Sequence, residues 1–153
     1  MISHLDKNNN PVMVDVGSKD VTKRTAIAEG EVIFDKKTFK EIENLRSKKG
    51  SIKNVAIISG IMGAKETSRL IPLCHNIQID SVNIEISKQT SKNSMKVRAT
   101  VKTSSKTGVE MEALTAVTVS CLTIYDMCKY LNKSIKITNI KLISKIGGKS
   151  GIF

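Results

Sequence analysis

The chain contains no tryptophan, three phenylalanines and two tyrosines in 153 residues. A core without many rings must be filled by Ile, Val, Leu, Ala and Met. The same scarcity argues against nucleic-acid binding, where bases usually stack on aromatic side chains beside basic ones. Here the aromatics are scattered and no strand carries an RNA-binding signature. Cysteine is also sparse. Cys74, Cys121 and Cys128 are odd in number and form no CxxC pair, which excludes a disulfide framework and fits a reducing compartment. Cys74 and His75 are adjacent, which is not a usual chelating spacing, so no zinc or other metal site is expected. Long hydrophobic runs are missing too. The longest, Val55 to Ala64, is interrupted by Ser59 and Gly60 and is too short to cross a bilayer. No charged start precedes an apolar run at the N-terminus. A cytoplasmic chain with no membrane partner is expected. Acidic residues are few, 14 against 25 basic, for a net charge of +11. That balance favours an anionic partner such as a nucleotide phosphate, although a solvated lysine surface produces the same number.

The length suits one domain with a real core. Residues 1–24 read as a flexible N-terminal segment, with turn chemistry at Asn8-Asn9-Asn10-Pro11 and a short extended stretch at Val12 to Val16. Residues 25–153 form the domain proper, ending in a mobile Gly/Lys tail at 145–153. Within it, Ala26 to Phe34 reads as a strand with Ile27, Val32 and Ile33 as core candidates. Asp35 is an N-cap for a helix through Arg46, with Phe39, Ile42 and Leu45 as its stripe and Lys48-Lys49-Gly50 as its end. Ser51 caps a second helix from Ile52 to about Leu70, whose apolar face is small: Ala56, Gly60, Gly63, Ala64. Ile71-Pro72 breaks it. Ile77 to Ser87 and Met95 to Thr103 alternate as a hairpin pair. A long helix follows from about Glu112 to Leu131, then a last strand from Ile135 to Ile146. With the first two helices acting as one crossover layer, the order is β-α-β-β-α-β. This predicts an α+β ferredoxin-like fold, an antiparallel sheet with helices on one face. The strands carrying Ile84, Ile86, Val97 and Val101 are apolar enough that a subunit partner is expected to cover part of the sheet.

Charge inside an apolar helix is costly unless it is paired or faces a cleft. The stretch from Gly108 to Lys129 holds Glu110, Glu112, Asp126, Tyr125 and Lys129 in such a helix, which marks it either as a site or as a helix with an internal ion pair. Asp126 and Lys129 are three apart and share a face. They can pair with each other or both point at a ligand. Glu112 lies fourteen residues before Asp126, about 21 Å along a straight helix at 1.5 Å per residue. Either the helix starts late and Glu110-Met111-Glu112 folds back, or the site is shared between subunits. In the second case the long helices of two subunits would pack antiparallel through Ala113, Ala116 or Ser120. His75 follows a proline turn between a helix and a strand, a position suited to a proton carrier, a phosphate donor or a local backbone cap. Gly148-Lys149-Ser150 is not a Walker A loop: the required upstream glycine is Ile143, and no helix can follow it. The exposed N–H groups of this glycine-rich end, with Lys145 and Lys149, can still grip an anion by ordering around it.

Four collinear blocks carry a more specific signal. Leu70-Ile71-Pro72-Leu73-Cys74-His75, Gly108 to Ala116, Leu122 to Lys129, and Gly147-Gly148-Lys149-Ser150-Gly151 closely resemble the molybdenum cofactor biosynthesis protein C family, the cyclic pyranopterin monophosphate synthases. Met13-Val14-Asp15-Val16 resembles it as well, so the likeness covers nearly the whole chain. The family usually has a small polar residue before the double glycine, where this chain has Ile146.

The resemblance implies a ferredoxin-like lyase of the phosphorus–oxygen type. Such an enzyme converts 3′,8-cyclo-7,8-dihydro-GTP, a cyclic GTP-derived triphosphate, into cyclic pyranopterin monophosphate and diphosphate. It implies a homo-oligomer, a hexamer built as a trimer of dimers, with sites at subunit interfaces and no cofactor. It implies Asp126, Lys129 and Lys49 as catalytic residues. Leu73, Cys74, His75, Glu110, Met111, Glu112, Lys145, Lys149 and Arg24 are implied as substrate contacts. This chemistry agrees with the residues themselves. Lysines suit a triphosphate and a diphosphate leaving group, and carboxylates, lysines and a histidine can move protons without a redox group. The competing expectation is a basic ferredoxin-like module that binds a nucleotide or RNA without turnover. The carboxylates in the expected cleft speak against it.

Overall fold

In the computed structural model, which describes residues 4–148 and 151–153, the chain forms a four-stranded antiparallel sheet with two long helices on one face. The elements are β1 (Thr22–Ile33), α1 (Lys36–Glu41), the short pair β2 (Arg46–Ser47) and β3 (Gly50–Ser51), α2 (Ile52–Leu70), β4 (Ser81–Gln89), β5 (Ser94–Ser105), α3 (Glu110–Cys128) and β6 (Lys136–Ile146). The sheet order is β4-β5-β1-β6, with every neighbouring pair antiparallel. This is the expected α+β ferredoxin-like arrangement. Strands β1 and β4 are parallel but separated by β5, which makes the split βαβ unit.

Strand β1 sits in the middle, paired to β5 from Thr22↔Ser105 to Ile33↔Ser94. It begins at Thr22 rather than Ala26, so Arg24 lies in the sheet and not in the preceding segment. Its helix-facing residues are Ala26, Ala28, Gly30 and Val32, all buried. Of the expected core residues only Val32 is among them. Ile27 and Ile33 fall on the other parity, facing away from the helices and partly exposed. The reason is steric. A Cβ on Gly30 would lie 2.6 Å from Val117 Cγ1 and 3.1 Å from Cys121 Sγ, so α3 rests directly on the strand backbone.

The helical layer uses the same device. Ser51 caps α2 as expected, accepting from the Asn54 N–H. Ala56, Gly60, Gly63 and Ala64 form its buried face. A Cβ on Gly60 would lie 2.1 Å from Ser120 Oγ and 2.9 Å from the Ala116 carbonyl oxygen, and one on Gly63 would lie 2.8 Å from Val119. Ser120 Oγ donates to the Ala56 carbonyl at 2.9 Å, and Ser59 Oγ donates to Thr123 Oγ1 at 2.8 Å. The expected packing of Ala113, Ala116 and Ser120 against a second subunit is therefore overturned. All three are fully buried within their own chain.

The expected helix from Asp35 to Arg46 is also shorter. Asp35 caps it through the Thr38 N–H, but it ends at Glu41. Burial of both Ile42 and Ile52 pulls the chain back on itself. Leu45 takes φ +54 and its carbonyl accepts the Ile52 N–H at 2.9 Å. Lys48-Lys49 thus becomes the turn of the β2–β3 hairpin, closed by Gly50 at φ +111.

Among the described helices and sheet strands, the exposed large apolar side chains lie mostly on the helices, with Ile140 and Ile146 of β6 the exceptions. Ile84, Ile86, Val97 and Val101 face inward and are buried. The open sheet face instead carries a charged row in which Glu29 takes Arg98 at 2.6 Å and Lys96 at 2.9 Å. Val55, Ile58, Met62 and Leu122 are exposed on the outer helical surface. Helix α3 is long and apolar enough to span a bilayer by length and composition. Here it packs on the sheet and α2, which accounts for that composition.

The close approach of α2 and α3 makes a stability prediction. Ala in place of Gly60 gains about 1 kcal/mol of helix propensity. It must also displace a backbone carbonyl and a hydrogen-bonded hydroxyl, for which overpacking costs of about 1–3 kcal/mol are usual. Gly60→Ala should therefore lower the urea midpoint, and an unchanged or higher midpoint would mean that the helices sit further apart.

Candidate active site

Helix α3 is continuous from Glu110 to Cys128, so Glu112 and Asp126 occupy opposite ends of one rod, about 21 Å apart. The alternative of a late start, with Glu110-Met111-Glu112 folded back as a loop, does not occur. The expected site residues fall into two groups.

The first group lies at the C-terminal end of α3. Lys129 Nζ is 2.7 Å from Asp126 Oδ1, and Lys49 Nζ is 2.9 Å from Oδ2 and 3.2 Å from the Asp126 carbonyl oxygen. The β2–β3 turn carries Lys49 there from 77 residues away. All three side chains are about half exposed. The hydrogen bonds from Lys129 and then Lys49 pull the Asp126 carboxyl down to about 2, and Asp126 in turn raises Lys129. At neutral pH this end therefore holds a fixed carboxylate under two ammonium groups. Its lysines can be drawn off by a phosphate, which offers more acceptor oxygens.

The second group lies at the N-terminal end. Leu73, Cys74, His75, Glu110, Met111 and Glu112 line one cleft of about 350 Å³, together with Val14, Val16, Lys19, Thr107 and Gly108. Glu112 is only 4% exposed. Burial first, and the neighbouring Glu110 charge as well, raise its carboxyl above the usual range. Burial, and then Glu112, raise the Cys74 thiol, which stays protonated. Glu110 turns toward the sheet, where Lys145 Nζ lies 2.9 Å from its Oε1. A Cβ on Gly108 would lie 1.9 Å from Glu110 Oε2, so only glycine leaves this carboxylate its place. Arg24 donates to the Ser105 and Lys106 carbonyls at 3.1 and 3.2 Å and lies against Gly148. The end of the chain folds back beside Lys145, whose N–H and carbonyl both bond to Phe153. Lys149 is outside the described residues.

The chain matches the model of the MoaC family over residues 13–148. The chain belongs to the MoaC family. It is similar to proteins named cyclic pyranopterin monophosphate synthase. One, from Helicobacter pylori (strain Shi470), is 49% identical over 150 residues, covering 98% of this chain and 95% of the relative. Another, from Campylobacter jejuni subsp. jejuni serotype O:23/36 (strain 81-176), is 49% identical over 152 residues, covering 99% and 97%. A third, from Helicobacter hepaticus (strain ATCC 51449 / 3B1), is 47% identical over 152 residues, covering 99% and 96%. In this MoaC family chain the two groups of polar residues are thus set by one helix. Among its described residues no set of three or more His, Cys, Asp or Glu could hold a metal ion.

Sequence reasoning missed the supports of the second group. The carbonyls of Ser105, Lys106 and Val14 that hold Arg24 and His75 come from 61 to 82 residues away. Only Asp15-Val16-Gly17, an aspartate-to-glycine turn signal, hinted that the N-terminal segment has a fixed path.

A buried carboxyl with a raised value stabilises the fold while protonated, and this contribution is lost as pH rises through that value. Glu112→Gln keeps the neutral shape. Its melting temperature should exceed that of the unaltered chain, by a margin larger in neutral than in mildly acidic buffer. A margin independent of pH would show that Glu112 carries no such penalty.

Proposed function

We propose that this chain is a cyclic pyranopterin monophosphate synthase of molybdenum cofactor biosynthesis, a phosphorus–oxygen lyase. It converts 3′,8-cyclo-7,8-dihydro-GTP into cyclic pyranopterin monophosphate and diphosphate, a cytoplasmic reaction on a soluble nucleotide derivative. The observation that carries this is near-full-length identity of about 49% to proteins of that name, in a chain with a cationic cluster and a buried carboxyl at its two motif-bearing ends.

The division of labour follows from the charge states. Lys129 is held protonated beside an ionised Asp126, and Lys49 pairs with the same carboxylate, so the two lysines serve as phosphate donors and stabilise the charge that leaves with diphosphate. Asp126 keeps them together until the substrate arrives and can then accept a proton. Glu112, held toward its protonated form, is suited to donating one, and His75 in the same cleft to relaying it. Arg24 and Lys145 add positive charge beside the second group, with Leu73, Cys74, Glu110, Met111 and, from the sequence alone, Lys149 as further substrate contacts. Incubation with the cyclised GTP derivative should release diphosphate. Asp126→Asn should reduce turnover roughly 10²-fold or more while leaving the fold intact. A folded chain that releases no diphosphate would refute the assignment.

One small substrate cannot touch both ends of α3, so we further propose that one subunit supplies Glu112 and its twofold mate supplies Asp126, within a hexameric trimer of dimers. The exposed Val55, Ile58, Met62 and Leu122 on the helical surface support an interface there, in place of Ala113, Ala116 and Ser120. If Glu112→Ala and Asp126→Ala chains are unfolded and refolded together, each mixed dimer carries one doubly altered and one unaltered site. Random pairing leaves about half the dimers mixed, and so about a quarter of sites restored. Activity should recover toward that level. A mixture as inactive as its components, with mixed dimers confirmed by mass, would place the site within one subunit.

A further inference from the structure

The N-terminal segment has a defined path that the chemistry above does not use. Residues 4–12 close on themselves: Val12 N–H donates to the His4 carbonyl at 2.9 Å and Asp6 N–H to the Asn10 carbonyl at 2.9 Å. Asp6 Oδ1 accepts the Asn8 and Asn10 N–H groups. The chain then lines the cleft at Val14 and Val16 and is pinned again at Gly17. Asp15 Oδ1 accepts the Gly17 N–H at 2.7 Å, and Lys106 Nζ donates to the Gly17 carbonyl at 2.5 Å. Between these anchors the Val14 carbonyl oxygen lies 2.7 Å from His75 Nε2.

A backbone carbonyl can only accept a hydrogen bond, so the proton of this contact must sit on Nε2. The neutral ring is then left with an unprotonated Nδ1, which has no hydrogen-bond partner among the described residues. We infer that the Val14 carbonyl is a positioning group that fixes the His75 tautomer, so that Nδ1 is the basic atom His75 offers in the cleft. The Nε2–H is engaged by the Val14 carbonyl, so the orientation of the ring is held together with its tautomer. Asp15 and Lys106 act at one remove, by holding the segment that holds the carbonyl. The inference rests on the proposed site only for the meaning of the proton. The tautomer is a property of the unliganded chain.

Nuclear magnetic resonance of the imidazole nitrogens tests it without substrate. The chain has two histidines, His4 and His75, so a His4→Gln background leaves one ring to observe. At alkaline pH, where the ring is neutral, the intact chain should show a protonated Nε2 with a slowly exchanging hydrogen and a bare Nδ1. Lys106→Ala, and Asp15→Ala with Lys106→Ala, should lose that slowly exchanging signal, while backbone amides of β1 and α3 remain native. Lys106→Arg, which can still reach the Gly17 carbonyl, should restore it. A proton found on Nδ1 in the intact chain, or an Nε2–H signal unchanged in both folded release variants, would overturn the inference. Either outcome is independent of whether the chain releases diphosphate, so failure of the functional proposal would leave the tautomer result standing.

Discussion

Everything else in this molecule depends on α3 being an unbroken rod with its inner face buried. It lies across β1, β5 and β6 and against α2, and it carries chemistry at both ends. A kink would have brought Glu112 and Asp126 together in one chain. Burial forbids it: Ala113, Ala116, Val117, Ser120, Cys121 and Ile124 are sealed between sheet and α2. A break there would strand backbone groups away from water. The separation of the two polar groups is therefore a property of the core.

The rod can lie so close because its neighbours are small. Gly30 admits it to the sheet, and Gly60 and Gly63 admit it to α2. With few aromatic side chains, tight backbone approach replaces large interlocking rings as the means of excluding space. The arrangement also decides which surfaces remain. Inward-facing Ile84, Ile86, Val97 and Val101 exhaust the apolar side of the sheet, whose open face is tied by the Glu29–Lys96–Arg98 cluster. The outer helical surface keeps Val55, Ile58, Met62 and Leu122. Glu29 shows the electrostatic consequence. Although burial pushes its carboxyl upward, the hydrogen bonds from Lys96 and Arg98 outweigh it and leave the group below the usual range.

Period and capping made most of the fold legible in the sequence. The limits of α2, the pairing of β4 with β5, and the order of the four sheet strands and two long helices follow from alternation and from Ser51, Pro72 and the polar 88–94 stretch, whereas β4 begins at Ser81 and not Ile77 and the β2–β3 pair is not among the expected elements. What local rules could not show was where tertiary packing reverses them. Phe39, Ile42 and Leu45 have helical spacing, yet burial of Ile42 and Ile52 bends the chain at Leu45. Ile27 and Ile33 are the larger residues of β1, yet the strand turns its Ala and Gly parity inward because α3 needs the space. The same division holds for the site. The Asp126–Lys129 pair is three residues apart and readable from spacing, whereas Lys49 reaches it from 77 residues away and Val14 reaches His75 from 61. No periodicity encodes such contacts.

The two ends of α3 are electrostatically unlike, and this difference argues for their working together. At the C-terminal end an exposed carboxylate is held down to about 2 by two lysines, which leaves no weak acid there to give up a proton near neutral pH. At the N-terminal end a buried carboxyl is held up, beside a histidine and a protonated thiol. That end has proton carriers, with Lys145 engaged by Glu110, Arg24 by two backbone carbonyls, and Lys19 in the cleft lining. A reaction that expels diphosphate while moving protons about a ring system needs cations for the first task and weak acids for the second. Among the described residues the paired lysines are gathered at one end and the buried carboxyl at the other. Since the rod cannot bend, the two sets can meet only where one chain's N-terminal end lies beside another chain's C-terminal end. The rigidity that stabilises the chain thus also keeps its two polar groups about 21 Å apart.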